Sequence, residues 1–524
     1  MTRMRTLGTI AAIGGLSAFA LLTGVPSVKA DEVSDLRANN ELLQQRIDQI
    51  AQAANNGPSR LFSADEKAST AAAMAGSFPR SFLIPGTDSS IRVGGNVTWI
   101  ADYYLQGGVA NGSPWSTTLG ANGTVQGIGV NTANNAKGSS DFGESMRQSM
   151  LSVETRTPTP YGEARSYLSM DWAASTNYAP GGTDPAAISD NIVPRMKYAY
   201  GTLGGWLAGQ ANSNFSDADA NAEVIDFCGN VGEPGRVRVA QLRYTMPLDW
   251  AWGGALSFSA ENPEVEAFTP NGICGSDAGV SSACVSPGLA VPALAAQNIN
   301  PAKPIAPALT AALYIPQPWG HFDLSAVLRP DIGLSDGAYY SKDFVGGGGH
   351  LGLSIKPGWF TPKDNITFHI TGGTGLGAYL NSSTNVAVET NLSAATTGIA
   401  GGLCPALGAA GATTASCIKS KLVSSAGGEI GYQHWWSDDL RSTFSYGVNH
   451  QYGLSATYIG VAQAAAANKE LQTAHANLIW NPVSFVTIGL EYMWGQRTIV
   501  ATTTPAGSSS NQMQALIGKF DVAF

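Results

Sequence analysis

The chain has 524 residues, of which only 13% are charged, with 62 glycines and a mean hydropathy of −0.01. Soluble proteins carry nearer to about 25% charge, and no stretch after Leu22 offers ~20 uninterrupted apolar residues, which excludes a bundle of membrane helices. A formal charge of −9, from 38 acidic and 29 basic side chains, argues against nucleic acid as a partner.

At the N-terminus Arg3 and Arg5 precede an apolar run from Leu7 to Leu22, and Val28, Lys29 and Ala30 make a cleavage site. Residues 1–30 therefore read as a secretory signal, with Asp31 as the first mature residue. An uncleaved anchor is the alternative, but the run is short and interrupted by glycine. Removing Arg3, Arg5 and Lys29 leaves 26 basic against 38 acidic residues, a balance of −12.

Residues 31–54 carry a heptad seam, with Val33, Asn40, Ile47 and Ala54 at a and Leu36, Leu43 and Ile50 at d. So few heptads hold a helix only by association, so a periplasmic helical coiled coil is expected; a single amphipathic helix lying on another surface is the alternative. Asn40 at a buried position would fix register. Residues 55–80, rich in Ala, Ser and Asn, read as a linker.

From Ile91 a two-residue period takes over. Val93, Val97, Trp99, Ala101 and Tyr103 alternate with Arg92, Asn96, Thr98 and Asp102, one face for lipid and one for water. Similar segments recur near 147–157, 163–172, 195–201, 206–214, 236–246, 252–261, 307–314, 321–329, 347–356, 365–372, 421–433, 440–449, 470–480, 485–496 and 512–524. Short links such as TPTPYG (157–162), TLGG (202–205) and WSDD (436–439) alternate with long ones at 105–145, 262–306 and 373–420. The closing strand sets Leu516, Phe520, Val522 and Phe524 against Ala515, Ile517, Lys519, Asp521 and Ala523. The fold class expected is all-β: a 16-stranded antiparallel transmembrane barrel over 81–524, with long loops outside and short turns in the periplasm. A β-solenoid would need a repeat of fixed length, and none is visible.

Cys274 and Cys284 share one long loop and Cys404 and Cys417 another, so two local disulfides are expected, with Cys228 left over. No catalytic constellation survives inspection. GLSDG at 333–337 has nucleophile-elbow spacing but sits in an expected loop without the helix that would position Ser335. Gly373, Gly375 and Gly377 lack a βαβ frame, and His321, His350, His369, His434, His450 and His475 show no metal-ligand spacing. An enzyme, a metal or a cofactor is not indicated.

Several blocks resemble the DcaP-like family of trimeric outer-membrane porins: SFLIPGTDSSIRVGG (81–95), AYGTLGGWLAGQANSNFSD (199–217), EVIDFCG (223–229), WGHFDLSAVLR (319–329), GYQHWWSDDLRSTFSYG (431–447), AHANLIWNPV (474–483) and GLEYMWG (489–495). The resemblance covers nearly the whole mature chain. It implies sixteen strands, a homotrimer in membrane lipid, a periplasmic coiled coil, and uptake of small hydrophilic solutes, often anionic ones such as dicarboxylates.

A pore selects by width and by charge at its narrowest point. In such barrels the loop after strand five commonly folds inward, and residues 215–235 carry Asp217, Asp219, Glu223, Asp226 and Glu233, an expected acidic constriction. Facing it, alternation directs Arg92, Arg165, Arg195, Lys197, Arg243 and Arg329 to the lumen, with Asp171, Glu261 and Glu491 among them; Arg236 and Arg238 join either group. The arginines can attract carboxylates or brace the wall through ion pairs, and both readings stay open. Function then reads as a diffusion porin, with a structural or surface-binding barrel as the alternative.

Overall fold

The computed structural model describes residues 75–106, 141–173, 194–227, 229–232, 237–249, 253–263, 266–269, 272–275, 300–301, 304–335, 341–380, 386–390, 418–454, 467–500 and 509–524. The wall consists of β1 (Ser90–Gln106), β2 in two segments (Asp141–Ser145 and Met150–Thr159), β3 (Gly162–Asp171), β4 (Arg195–Leu203), β5 (Trp206–Asn212), β6 (Arg238–Leu248), β7 (Gly254–Glu261) and β8 (Ala308–Gln317). It continues through β9 (Gly320–Ser335), β10 (Ser341–Ile355), β11 (Asn365–Thr374), β12 (Ser424–Trp435), β13 (Leu440–Tyr452), β14 (Asn468–Val483), β15 (Val486–Ile499) and β16 (Ser510–Ala523). Each strand pairs antiparallel with the next, and β16 returns to β1 with Val522 opposite Val97 and Phe520 opposite Trp99. The barrel of sixteen strands is therefore closed and has no free edge.

Alternation explains which way the wall faces. On β1, Val93 and Val97 are about half exposed on the outside, while Thr98 and Asp102 are buried within. Every expected strand coincides with a wall strand to within a few residues at most ends. The main departure is at 330–346, expected to be irregular, where β9 and β10 continue instead and pair Ile332 with Phe344 and Leu334 with Lys342. A bulge between Arg329 and Ile332 accommodates Pro330, which has no ladder donor, and so keeps Ile332 and Leu334 buried. GLSDG therefore begins in a strand, with Gly333 opposite Asp343, rather than in a loop.

Two long loops share a small sheet made of Glu266–Thr269, Gly272–Gly275, Val386–Thr390 and Ile418–Leu422. The backbone of Cys274 pairs with Ala267 in it. Cys228, Cys284, Cys404 and Cys417 lie outside the described residues, as do the signal, the heptad segment 31–54, and the linker up to 74. Residues 75–89 fold back at the end of the barrel that carries the short turns: Ala75 bridges Phe82, and buried Phe78 lies under the guanidiniums of Arg156 (4.6 Å) and Arg92 (5.6 Å).

The short turn 356–364, between β10 and β11, is pinned by Asp364. Its carboxylate accepts hydrogen bonds from Thr361 Oγ1 (2.8 Å), the Trp435 amide (3.1 Å) and Tyr432 Oη (2.9 Å), and it lies 3.1 Å from His434 Nδ1. Burial pushes its pKa up, but these hydrogen bonds outweigh burial and hold it down at about 2. A depressed carboxyl stabilises the fold fully above its unfolded value and loses that contribution as pH falls through about 2. Asp364→Asn should therefore lower the melting temperature of detergent-solubilised barrel at pH 7, with the gap to the parent shrinking between pH 4 and pH 2. A gap independent of pH would show that the carboxylate charge is not what pins the turn.

Candidate functional site

In the loop joining β5 to β6, the described residues 213–227 and 229–232 run along the inner wall from β7 to β15, and strand glycines clear the path. A Cβ on Gly489 would come within 2.5 Å of Ile225 Cδ1, one on Gly431 within 2.6 Å of Ala222 Cβ, and one on Gly447 would collide with the Val231 carbonyl.

Buried wall carboxylates hold this loop by its backbone amides. Glu261 accepts from the Asn214 amide (2.8 Å), Ser213 Oγ (2.7 Å) and Tyr379 Oη (2.8 Å). Glu429 accepts from the Ala222 amide (2.6 Å), and Glu491 from the amides of Ile225 (2.7 Å) and Asp226 (3.1 Å). Glu491 also meets His475 Nδ1 at 2.9 Å and Asn477 Nδ2 at 3.1 Å. Each of these carboxylates is at most 3% exposed, so Glu261 and Glu491 point inward as alternation predicts but lie beneath the loop rather than on the pore surface. Their job in the structure is anchoring.

The acidic residues of the loop are distributed differently from a constriction ring. Asp217 is buried and lies 2.8 Å from His321 Nε2, and Asp226 is buried too. Glu223 forms two hydrogen bonds of 2.5 and 2.6 Å with Arg441 and a third of 2.5 Å with Gln433. Asp219 is exposed; Glu233 lies outside the described residues, as does Arg236. The expected acidic face is thus largely spent on holding the loop, because a backbone lying on a polar wall must satisfy its amides and charges locally.

Basic side chains gather on the opposite wall, β1 to β6. Glu154, 1% exposed, is surrounded by Arg92 (2.5 Å), Arg165 (2.7 Å) and Arg156 (2.9 Å), and Arg156 also reaches Glu163 at 3.3 Å. Asp171, fully buried, takes Arg195 through both oxygens (3.0 and 2.7 Å) with Lys197 at 3.7 Å. Arg243 reaches Asn214 Oδ1 at 3.4 Å. Among the described residues, Arg238 and Arg243 meet no carboxylate within ion-pair distance. Phe227, on the inserted loop, faces Arg195 (5.5 Å) and Lys197 (5.8 Å) and brings the two walls together. Arg329 departs from the expectation: it is 1% exposed and donates to the carbonyls of Gly375 and Leu376 (2.8 and 3.0 Å), because the segment after β11 folds over it.

Three tyrosines complete the basic wall. Tyr167 lies 5.9 Å from Tyr198 and 5.6 Å from Tyr200, with Arg165 over Tyr167 and Tyr200 and Arg238 over Tyr198. Strict alternation from Arg195 and Lys197 would have sent Tyr198 and Tyr200 into lipid. A register shift at Ser169/Met170 pairs Tyr198 with Ser169 and Met196 with Met170, so Lys197 and Tyr198 both turn inward. Arg156 and Arg441 follow ordinary alternation and could have been named from it. Charged forks beside aromatic faces bind carboxylates by hydrogen bond and planar solutes by stacking. Among the described residues, no three of His, Cys, Asp and Glu converge as metal ligands would.

The family model described as "Porin subfamily" matches residues 80–518. Among solved structures, the outer membrane channel DcaP of Acinetobacter baumannii is 20% identical, with a TM-score of 0.58, over 84% of this chain and 99% of that one. An anion-selective porin from Comamonas acidovorans is 10% identical, with a TM-score of 0.46, over 83% and 100%. OprB of Pseudomonas putida is 9% identical, with a TM-score of 0.45, over 83% and 94%. No curated protein matches the chain. A closed sixteen-stranded wall, a loop folded into its lumen, and a family match spanning most of the sequence lead to one conclusion: the chain belongs to the porin subfamily, and its barrel is an outer-membrane diffusion channel.

Proposed function

We propose that the channel favours small anionic solutes, dicarboxylates among them. The observation that carries this reading is the imbalance across the narrowed lumen. Arg92, Arg156, Arg165, Arg195 and Lys197 outnumber Glu154, Glu163 and Asp171, and Arg238 and Arg243 add charge. Across from them, Asp217 and Asp226 are buried and Glu223 is paired with Arg441. The wall pairs do not cancel the effect, since three guanidiniums around one carboxylate leave donors free for a solute. A positive wall in a narrow, low-dielectric passage raises the local anion concentration.

The same proposal includes a homotrimer. β5 has seven residues, whereas a strand crossing the hydrocarbon takes about 9–11. A wall that low is better covered by neighbouring copies than by lipid. Trp206 and Leu242 supply apolar surface there, each about half exposed in one protomer. A cleaved signal over 1–30 and a periplasmic coiled coil over 31–54 belong to the same picture.

Planar-bilayer recording tests it. Under a KCl gradient the reversal potential should take the sign of anion preference, openings should come in threes, and succinate should reduce the chloride current. Cation preference in an intact channel would overturn the anion reading and return control to Asp219 and the external loops.

A further inference from the structure

The outer wall carries a furrow that the pore does not use. Ala474 and Ala476 of β14 form its floor, between Phe444 and Tyr446 of β13 and Tyr492 of β15, and Trp359 and Phe360 close its periplasmic end; the cavity is about 720 Å³. Elsewhere on the same strand Leu478 and Trp480 stand out into the membrane. The two alanines therefore make a local depression in an otherwise knobbed surface. Its lining is almost wholly aliphatic and aromatic, as suits hydrocarbon.

The furrow spans one leaflet. From Leu440 at the periplasmic end of β13 to Tyr446 the strand rises about 20 Å. A tilt of about 40° reduces that to roughly 15 Å of depth, somewhat more than half of the ~25 Å apolar band of such barrels. Long loops mark the outer side, so this half lies in the periplasmic leaflet. At the rim, Trp359 and Phe360 are 71% and 75% exposed, and the same turn carries Lys356 and Lys363. Lys363 pairs with Asp438 at 2.8 Å, a surface pair that a phosphate can displace.

We propose that this furrow is a binding site for a glycerophospholipid of the periplasmic leaflet, with one acyl chain on Ala474 and Ala476 and the phosphate at Lys356 and Lys363. A second copy of the chain is a poorer occupant. β13, β14 and β15 have 13, 16 and 14 residues and are tall enough to face hydrocarbon, whereas the low wall suited to a neighbour is at β5. The small floor gives a chain contacts on three sides, and packing of that kind is what holds partners together in a membrane, where no hydrophobic gradient acts.

The test is native mass spectrometry of the whole barrel after exchange from vesicles of phosphatidylethanolamine and phosphatidylglycerol into a delipidating detergent. The parent should retain one phospholipid per protomer. Ala476→Trp, which fills the floor, should cut retention by about tenfold while the barrel keeps its heat-modifiable gel mobility. Lys356→Glu with Lys363→Glu should cut it by about fivefold or more per charge. Equal retention by parent and Ala476→Trp would overturn the site, as would a retained lipopolysaccharide in place of a phospholipid. Disulfide formation between copies carrying Ala474→Cys would likewise overturn it, by making the furrow an interface.

Discussion

Glu491→Ala should raise single-channel conductance severalfold and make it noisy, because it removes the acceptor that holds the inserted loop at its far end. The amides of Ile225 and Asp226 and the side chains of His475 and Asn477 all converge on this buried carboxylate. Leaving a buried donor without an acceptor costs ~1–3 kcal/mol, so losing two amide bonds weakens attachment by several kcal/mol. Each ~1.4 kcal/mol is tenfold in a population ratio, enough to take the loop from always docked to often free. Gly447→Val should act in the same direction by steric force, since the Val231 carbonyl occupies the space its side chain needs. Both variants should still run as folded, heat-modifiable barrels, because the wall ladder on either side is intact. Unchanged conductance with a lowered melting temperature would mean that the loop is not what narrows the pore.

The second large effect concerns selectivity. Arg238→Gln combined with Arg243→Gln should lower the anion-to-cation permeability ratio by about tenfold, since removing two charges from a confined lumen changes a potential of several kT. These two are the informative pair because they form no described ion pair, and Glu261, the buried acid nearest in charge to Arg243, keeps its donors from Ser213, Asn214 and Tyr379. Arg195→Gln is the contrasting case. It would leave Asp171, fully buried, with the Ala173 amide at 3.2 Å and Lys197 at 3.7 Å as its remaining described partners, and should mainly reduce the yield of folded barrel. Reversal potentials at 0.1 M and 1 M salt check the assignment, because a charge effect weakens as the screening length shortens from ~10 Å to ~3 Å. A ratio that survives the double substitution would move anion preference to the triad around Glu154.

The sequence by itself determined the number of wall strands, their boundaries to within a few residues at most ends, and, β4 apart, the side each one shows to lipid. The reason is local: a strand between lipid and water must alternate every two residues, and short turns must hold turn-forming residues. Alternation likewise puts Arg92, Arg165 and Arg195 on the inner face, whereas Lys197 lies there as the extra residue of the β4 bulge. Tertiary structure alone decided what the inward groups do. Glu261 and Glu491 share that parity with the arginines yet anchor a loop distant in sequence, and no periodicity records which amides will lie over them. Asp217 and Asp226 looked like pore charges and are buried, because the loop that carries them lies flat on the wall. One bulge in β4 brought Tyr198 and Tyr200 into the lumen against the alternation, and the segment after β11 covered Arg329. Parity is a property of neighbours along the chain, whereas exposure depends on what a distant segment leaves uncovered.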